Sequence, residues 1–202
     1  MSAVDKIKSF FIEIGELTFF ARRFFKEVFT KPFEFQEFLK QCYNIGNRSI
    51  LLVVVTGFII GVVLTLQTRP TLENFGAESW MPNMVSISII REIDPAIIPL
   101  TFARRVSSGI GAELGSMRVT EQIDALYTLN TNPTNYLILP RVIAGVLMMP
   151  ILVLIADIIG VFGGYLVSVY KLGFSPYAFL KNTFDYLEFD DVVSGLIKAA
   201  VF

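Results

Sequence analysis

The chain has 202 residues, 53% of them hydrophobic and 17% charged, with a net charge of −1 and a mean hydropathy of +0.61. That balance offers nothing to attract nucleic acid. With no histidine and a single cysteine, Cys42, an intrachain disulfide and Cys–His or Ser–His catalysis are excluded, and a His/Cys metal site has no basis.

Residues 1–30 alternate charge with bulky apolar groups. Lys6, Lys8, Glu13, Glu16, Arg22, Arg23 and Lys26 are interleaved with Phe10, Phe11, Ile14, Phe19, Phe20, Phe24 and Phe25. No compact uncharged core of a signal peptide is present. The pattern predicts an amphipathic helix lying in the membrane interface, with rings in lipid and basic groups at the head groups. An ordinary amphipathic helix packed on the rest of the protein is the plainer alternative. Lys31 and Pro32 mark a break. Residues 34–47 form a polar helical approach, and 49–66 (SILLVVVTGFIIGVVLTL) are free of charge. That run has about the length needed to cross a bilayer core, roughly 20 residues, and predicts a first span ending near Gln67. Gly57 and Gly61 within it are spaced for close helix–helix approach, more often within one chain than between two. Arg69 and Pro70 read as a turn, followed by a loop or short helix over 71–82 in which Trp80 is a weak interface anchor.

The second span, 84–110, is less regular. Arg91, Glu92 and Asp94 lie within it, followed by Pro95, Pro99, Arg104 and Arg105. Charge at membrane depth is costly and usually faces a cavity, a pathway or another charge, so Arg91 could meet an anionic head group with Glu92 balancing it. Equally, the residues could lie at the boundary, solvated, with the helix starting at Pro95.

Residues 111–126 (GAELGSMRVTEQIDAL) come next. A helix starting near Arg118 would put Val119, Ile123 and Leu126 on one apolar face, with Glu121, Gln122 and Asp124 beside it. A connecting loop needs only to be wet; this one is patterned to dock on a protein. Asn132 and Pro133 close it. The third span runs from about Tyr136 to Tyr170, with Asp157 its lone deep acid and Gly160 and Gly164 repeating the close-approach spacing. A proton or cation role for Asp157 stands beside that of a hydrogen-bonded packing residue. A wet loop or short helix over 173–191 carries Asp185, Glu188, Asp190 and Asp191. A final apolar run, 192–202, holds Lys198 and is too short to span; truncation relative to a working protein is the simplest expectation. Basic residues near span ends favour the N-terminal segment (Lys31, Lys40, Arg48) and the docking side (Arg104, Arg105, Arg118, Arg141) over the opposite loops (Arg69, Lys171, Lys181). The first two are therefore expected on the cytoplasmic side. Gly109, Gly111 and Gly115 make no dinucleotide fingerprint, and the chain carries no P-loop, so any nucleotide that drives it binds elsewhere.

AELGSMRVTEQIDAL at 112–126 and NPTNYLILPRVIAG at 132–145 resemble the MlaE (YrbE-like) family of ABC-transporter permeases. So do IIREIDPAIIPLTFARRVSSGIGAELG at 89–115, GFIIGVVLTLQ at 57–67 and FGAES at 75–79. The resemblance runs from about Cys42 onward. It implies an all-α integral membrane bundle: an interfacial helix over 1–30, then a permease domain over 31–202 with three spans, the start of a fourth, and a cytoplasmic coupling helix between spans two and three. It further implies a homodimer in a bacterial inner membrane with its N-terminus cytoplasmic. Two ABC ATPase subunits would hold ATP and Mg, an MCE-domain protein would sit on the outer face, and the cargo would be phospholipid; the chain itself would carry no cofactor and no catalytic residue. Arg91 and Glu92, with Leu64 and Phe75, would line the lipid pocket, and Arg118, Glu121, Gln122, Asp124 and Leu126 would couple to the ATPase. Where the family has RELGP this chain has REIDP, so Asp94 should point away from an anionic ligand or be balanced by Arg91. The family also has five spans, more than this chain holds. Two rivals remain: a proton-coupled secondary transporter using Asp157, Glu92 and Asp94, and a membrane scaffold that only recruits a partner.

Overall fold

A computed structural model of the chain describes residues 3–28, 35–129 and 133–201. Among these residues every regular element is helical: α1 (Ala3–Val28), α2 (Phe35–Asn74), α3 (Met81–Ser88), α4 (Asp94–Val119), α5 (Gln122–Thr128), α6 (Leu139–Tyr170), α7 (Pro176–Tyr186) and α8 (Phe189–Val201). A 3-10 turn precedes α3, and π-helical turns at Ile89–Ile93 and Thr134–Ile138 lead into α4 and α6. Among the described residues two helices are long and apolar enough to cross a membrane, Phe35–Asn74 and Tyr136–Tyr170. The expected second span does not qualify. Arg91, Glu92, Asp94, Arg104 and Arg105 dilute its apolarity, and it is built in three pieces, α3, the π turn and α4. The segment expected to start a fourth span forms α8, of 13 residues, which does not qualify either.

The helices α2 and α6 form the spine. Gly57 lies against Ala156, Gly61 against the Gly160 carbonyl, and Gly164 against Thr65, so closely that an added Cβ would clash at each. Both glycine pairs therefore work inside one chain. The contacts advance together along both helices, so α2 and α6 run parallel. Packing backbone on backbone maximises dispersion contact without relying on apolar exclusion from water, the condition that favours small residues between helices in lipid. One apolar cluster joins α2, α4, α6 and α8 through Val53, Phe102, Leu152, Val153, Ala156 and Ala199. A second gathers Leu72, Met81, Val85, Ile89 and Ile90, with Leu64 packed against it.

Two local expectations are corrected. Arg69 and Pro70 do not turn the chain: α2 continues through Pro70 to Asn74, and the turn comes at Gly76, whose φ of +64° suits a residue without Cβ. The docking helix does not start near Arg118. There α4 runs on to Val119, Glu121 takes a left-handed φ of 57°, and α5 begins at Gln122. Val119 therefore belongs to another helix axis than Ile123 and Leu126, and the single apolar face is split. Of the loop or short helix expected over 173–191, the structure shows mostly helix, and α7 buries Phe179 and Thr183. The break at Lys31 and Pro32 lies outside the described residues.

Candidate functional site

Arg91 and Glu92 sit on the π turn at Ile89–Ile93, between buried Ile89 and Ile90 on one side and buried Asp94 and Pro95 on the other. A π turn bonds each N–H five residues back, as the Asp94 N–H does to the Ile89 carbonyl, and such turns recur at functional sites because they bulge backbone and side chains outward. Here α8 packs on the bulge. Gly195 lets it approach the Ile90 carbonyl and Pro95. Lys198 Nζ donates to the Arg91 carbonyl oxygen (2.8 Å) and to Glu92 Oε1 (2.9 Å), and Arg91 Nη1 meets Asp191 Oδ1 at 3.4 Å. Asp191 and Lys198 are two turns apart on one face of α8, spaced to meet two neighbouring charges. Their i, i+7 spacing is the signal that sequence reasoning passed over, where Lys198 counted only against a membrane span. Arg91 is half-exposed, so its guanidinium keeps donors free beyond Asp191.

Of the other expected pocket residues, Leu64 packs on the cluster that includes Ile89 and Ile90, beneath the charged turn. Phe75 is 80% exposed beyond the C-terminus of α2. An apolar groove of about 550 Å³ lies beside the turn, walled by Ile90 of the turn itself and by α6, α7 and α8 through Ile158, Phe162, Tyr165, Phe179 and Val192.

Asp157 is not alone. Asp94 is fully buried and points into the spine: a Cβ on Gly160 would stand 3.4 Å from its Oδ2. The Asp94 and Asp157 carboxyls act directly on one another, and neither oxygen of Asp94 nor Oδ1 of Asp157 has a hydrogen-bond partner. Asp94 thus turns away from Arg91, the first of the two arrangements its sequence position allowed. Among the described residues no group of three or more His, Cys, Asp or Glu side chains could hold a metal.

At the other end of the bundle, Arg118 pairs with Asp124 at 2.8 Å across the left-handed Glu121, tying the end of α4 to α5. Ile123 and Leu126 are half-buried, whereas Val119, Tyr127 and Leu129 are exposed.

The family model described as "Permease MlaE" matches residues 38–202. The chain belongs to the MlaE permease family. A probable ABC transporter permease protein of Rickettsia bellii is 47% identical over 189 residues, covering 94% of this chain and 73% of the relative. The intermembrane phospholipid transport system permease protein MlaE of Haemophilus influenzae is 36% identical over 167 residues, 81% of this chain and 63% of that protein. A probable ABC transporter permease protein of Synechocystis is 37% identical over 164 residues. An MlaE-family permease subunit has no chemistry to perform on its cargo, and the charged π turn and its apolar surroundings are read accordingly, as elements that bind and move.

Proposed function

We propose that this chain is the membrane subunit of an ATP-driven phospholipid transporter in a bacterial inner membrane, working as a homodimer with an ABC ATPase inside and an MCE-domain protein outside. The observation that carries the reading is an amphiphilic one in a member of this family: a charged π turn, with a half-exposed arginine, set on an apolar bundle. A phospholipid needs an anion partner for its phosphate and apolar walls for its chains. Arg91 supplies the first and Leu64 part of the second. Asp191 holds the guanidinium until the phosphate competes for it, and Lys198 keeps Glu92 from repelling the anion. Phe75, exposed at the same end of α2, would complete the wall from outside the cluster. ATP, held by the partner, does work only if the partner binds the two permease conformations differently. The α5 segment, with Arg118, Glu121, Gln122, Asp124 and Leu126, is the element proposed to carry that difference.

The three-span reading has its support in direction. Two parallel helices that both cross a bilayer need the chain between them to cross back, and among the described residues α3, the π turn at Ile89–Ile93 and α4 are the elements long enough together to do so. The interfacial placement of α1 is supported by its exposed Phe10, Phe11 and Phe19 and its contact with the π turn at Thr134–Ile138.

Co-purification of the full-length parent in mild detergent, with mass spectrometry of proteins and lipids, tests the proposal. A P-loop ATPase, an MCE-domain protein and enriched phospholipid are expected, with the phospholipid lost in Arg91→Ala while the ATPase is retained. A lone protein without enriched lipid would overturn it. A second reading has its own observation, the buried Asp94 and Asp157 pair, which a proton-coupled carrier would use. It predicts transport without an ATPase, following a pH gradient.

A further inference from the structure

We propose that a second cavity, at the end of the bundle away from the charged π turn at Ile89–Ile93, binds the phosphate of an anionic lipid head group, with Arg141 as its principal ligand. The cavity, about 450 Å³, opens between α2, α4 and α6. Its polar lining includes Arg48, Arg105 and Arg141, with Glu113 as the one acid. Arg48 and Arg105 are exposed at its mouth; Arg141 is only 4% exposed. The Arg141 side chain donates through Nη2 to Glu113 Oε1 at 2.6 Å, but Nε and Nη1 are buried without a hydrogen-bond partner.

A guanidinium withdrawn from water with two of its three nitrogens unpaired is a costly arrangement, and an anion at those donors offsets the cost. Three cations against one carboxylate leave a net positive charge for it. The apolar part of the lining, Ile45, Val106 and Ile110, suits the glycerol and first methylenes of an amphiphile and offers nothing to a free ion. The position fits too. Arg48 directly precedes the apolar stretch of α2, and Arg141 stands in the first turn of α6, both at the boundary expected to face the cytoplasmic leaflet. Arg105 lies about 20 Å along the helical path from Arg91, at 1.5 Å per residue, so this site shares no residue with the proposed transport pocket. It rests on α2 and α6 crossing the membrane, and not on lipid being the cargo.

The test uses the full chain reconstituted in phosphatidylcholine vesicles carrying trace spin-labelled phosphatidylglycerol or, in parallel, spin-labelled phosphatidylcholine. The wild type is expected to favour the phosphatidylglycerol label, and Arg141→Gln to reduce that preference about tenfold, as loss of a charge-assisted contact would. Glu113→Gln should raise it, because it removes the competing carboxylate; a merely structural ion pair would not move the two variants in opposite directions. Should Arg141→Gln fail to fold, as read by helicity in circular dichroism, Arg105→Gln at the cavity mouth must show a smaller loss in the same direction. An unchanged preference in the folded variants would overturn the site. Displacement of the lipid label by millimolar inorganic phosphate would overturn the lipid as its source. Loss of ATPase binding with lipid preference intact would reassign Arg141 to a protein contact and overturn the proposal.

Discussion

Asp94 shows how one residue can be visible in a sequence while its effect is not. Its departure from the family pattern was plain, as was the depth of Asp157; nothing in their separation along the chain said that the two carboxyls meet. They meet because Gly160, one turn beyond Asp157, leaves room on α6 for the Asp94 side chain. No other group among the described residues donates to the Asp94 oxygens or to Asp157 Oδ1, so the pair has only itself for hydrogen bonding. Asp94→Asn keeps the shape and supplies an amide N–H, so it should raise the thermal unfolding midpoint in detergent, by the equivalent of about 1 kcal/mol. Scanning fluorimetry of the purified chain measures this, and a lower midpoint would mean the pair is stabilising as it stands. At the π turn the expected residues, Arg91 and Glu92, were legible as charges in an apolar stretch. Their partners Asp191 and Lys198 were not, since they come from a helix about 100 residues further on.

At the scale of elements, the spine depends on absent side chains. Gly61→Val would drive a branched side chain into the Gly160 carbonyl, and helix backbones cannot yield as a flexible side chain can. A loss of roughly 3 kcal/mol or more is expected. Gly145→Ala, in the same helix pair but with nothing within 4 Å of the new Cβ, should instead stabilise by about 0.5–1 kcal/mol through helix propensity. Equal effects of the two in a thermal melt would refute close packing as the reason for the glycines. The α5 segment makes the opposite kind of prediction. The Arg118 pair with Asp124 is solvent-exposed on both sides and contributes under ~1 kcal/mol. Asp124→Ala should therefore leave the melting curve nearly unchanged while lowering lipid-stimulated ATP hydrolysis in the assembled complex. Full hydrolysis in that variant would remove α5 from the coupling path. The sequence showed the polar and apolar residues of this segment correctly but not the left-handed turn at Glu121, a residue with no particular preference for that conformation.

For the whole molecule, the parallel run of α2 and α6 sets what the rest of the chain must do. If both cross the membrane, Ser79 beside the start of α3 and Tyr127 in α5 lie on opposite faces. With Cys42 replaced by serine, a Ser79→Cys variant should react with an impermeant maleimide added outside intact spheroplasts, and a Tyr127→Cys variant only after the membrane is opened. Labelling of both from one side would refute a returning middle segment.

Composition and periodicity alone showed long apolar helices, no partner for an intrachain disulfide and no His/Cys metal ligands, an amphipathic N-terminal helix and a charged cluster in the middle third. Those features are local: each depends on residues within a turn or two of one another, and the sequence displays them directly. Tertiary structure alone decided that α2 continues past Pro70, that Asp94 faces Asp157 instead of Arg91, that α8 pairs with the π turn, and that Arg141 is buried beside a cavity with donors unspent. The last three are contacts between segments far apart in the chain. Their register was settled by how closely glycine-bearing helix faces pack, a constraint that no single helix carries in its own sequence.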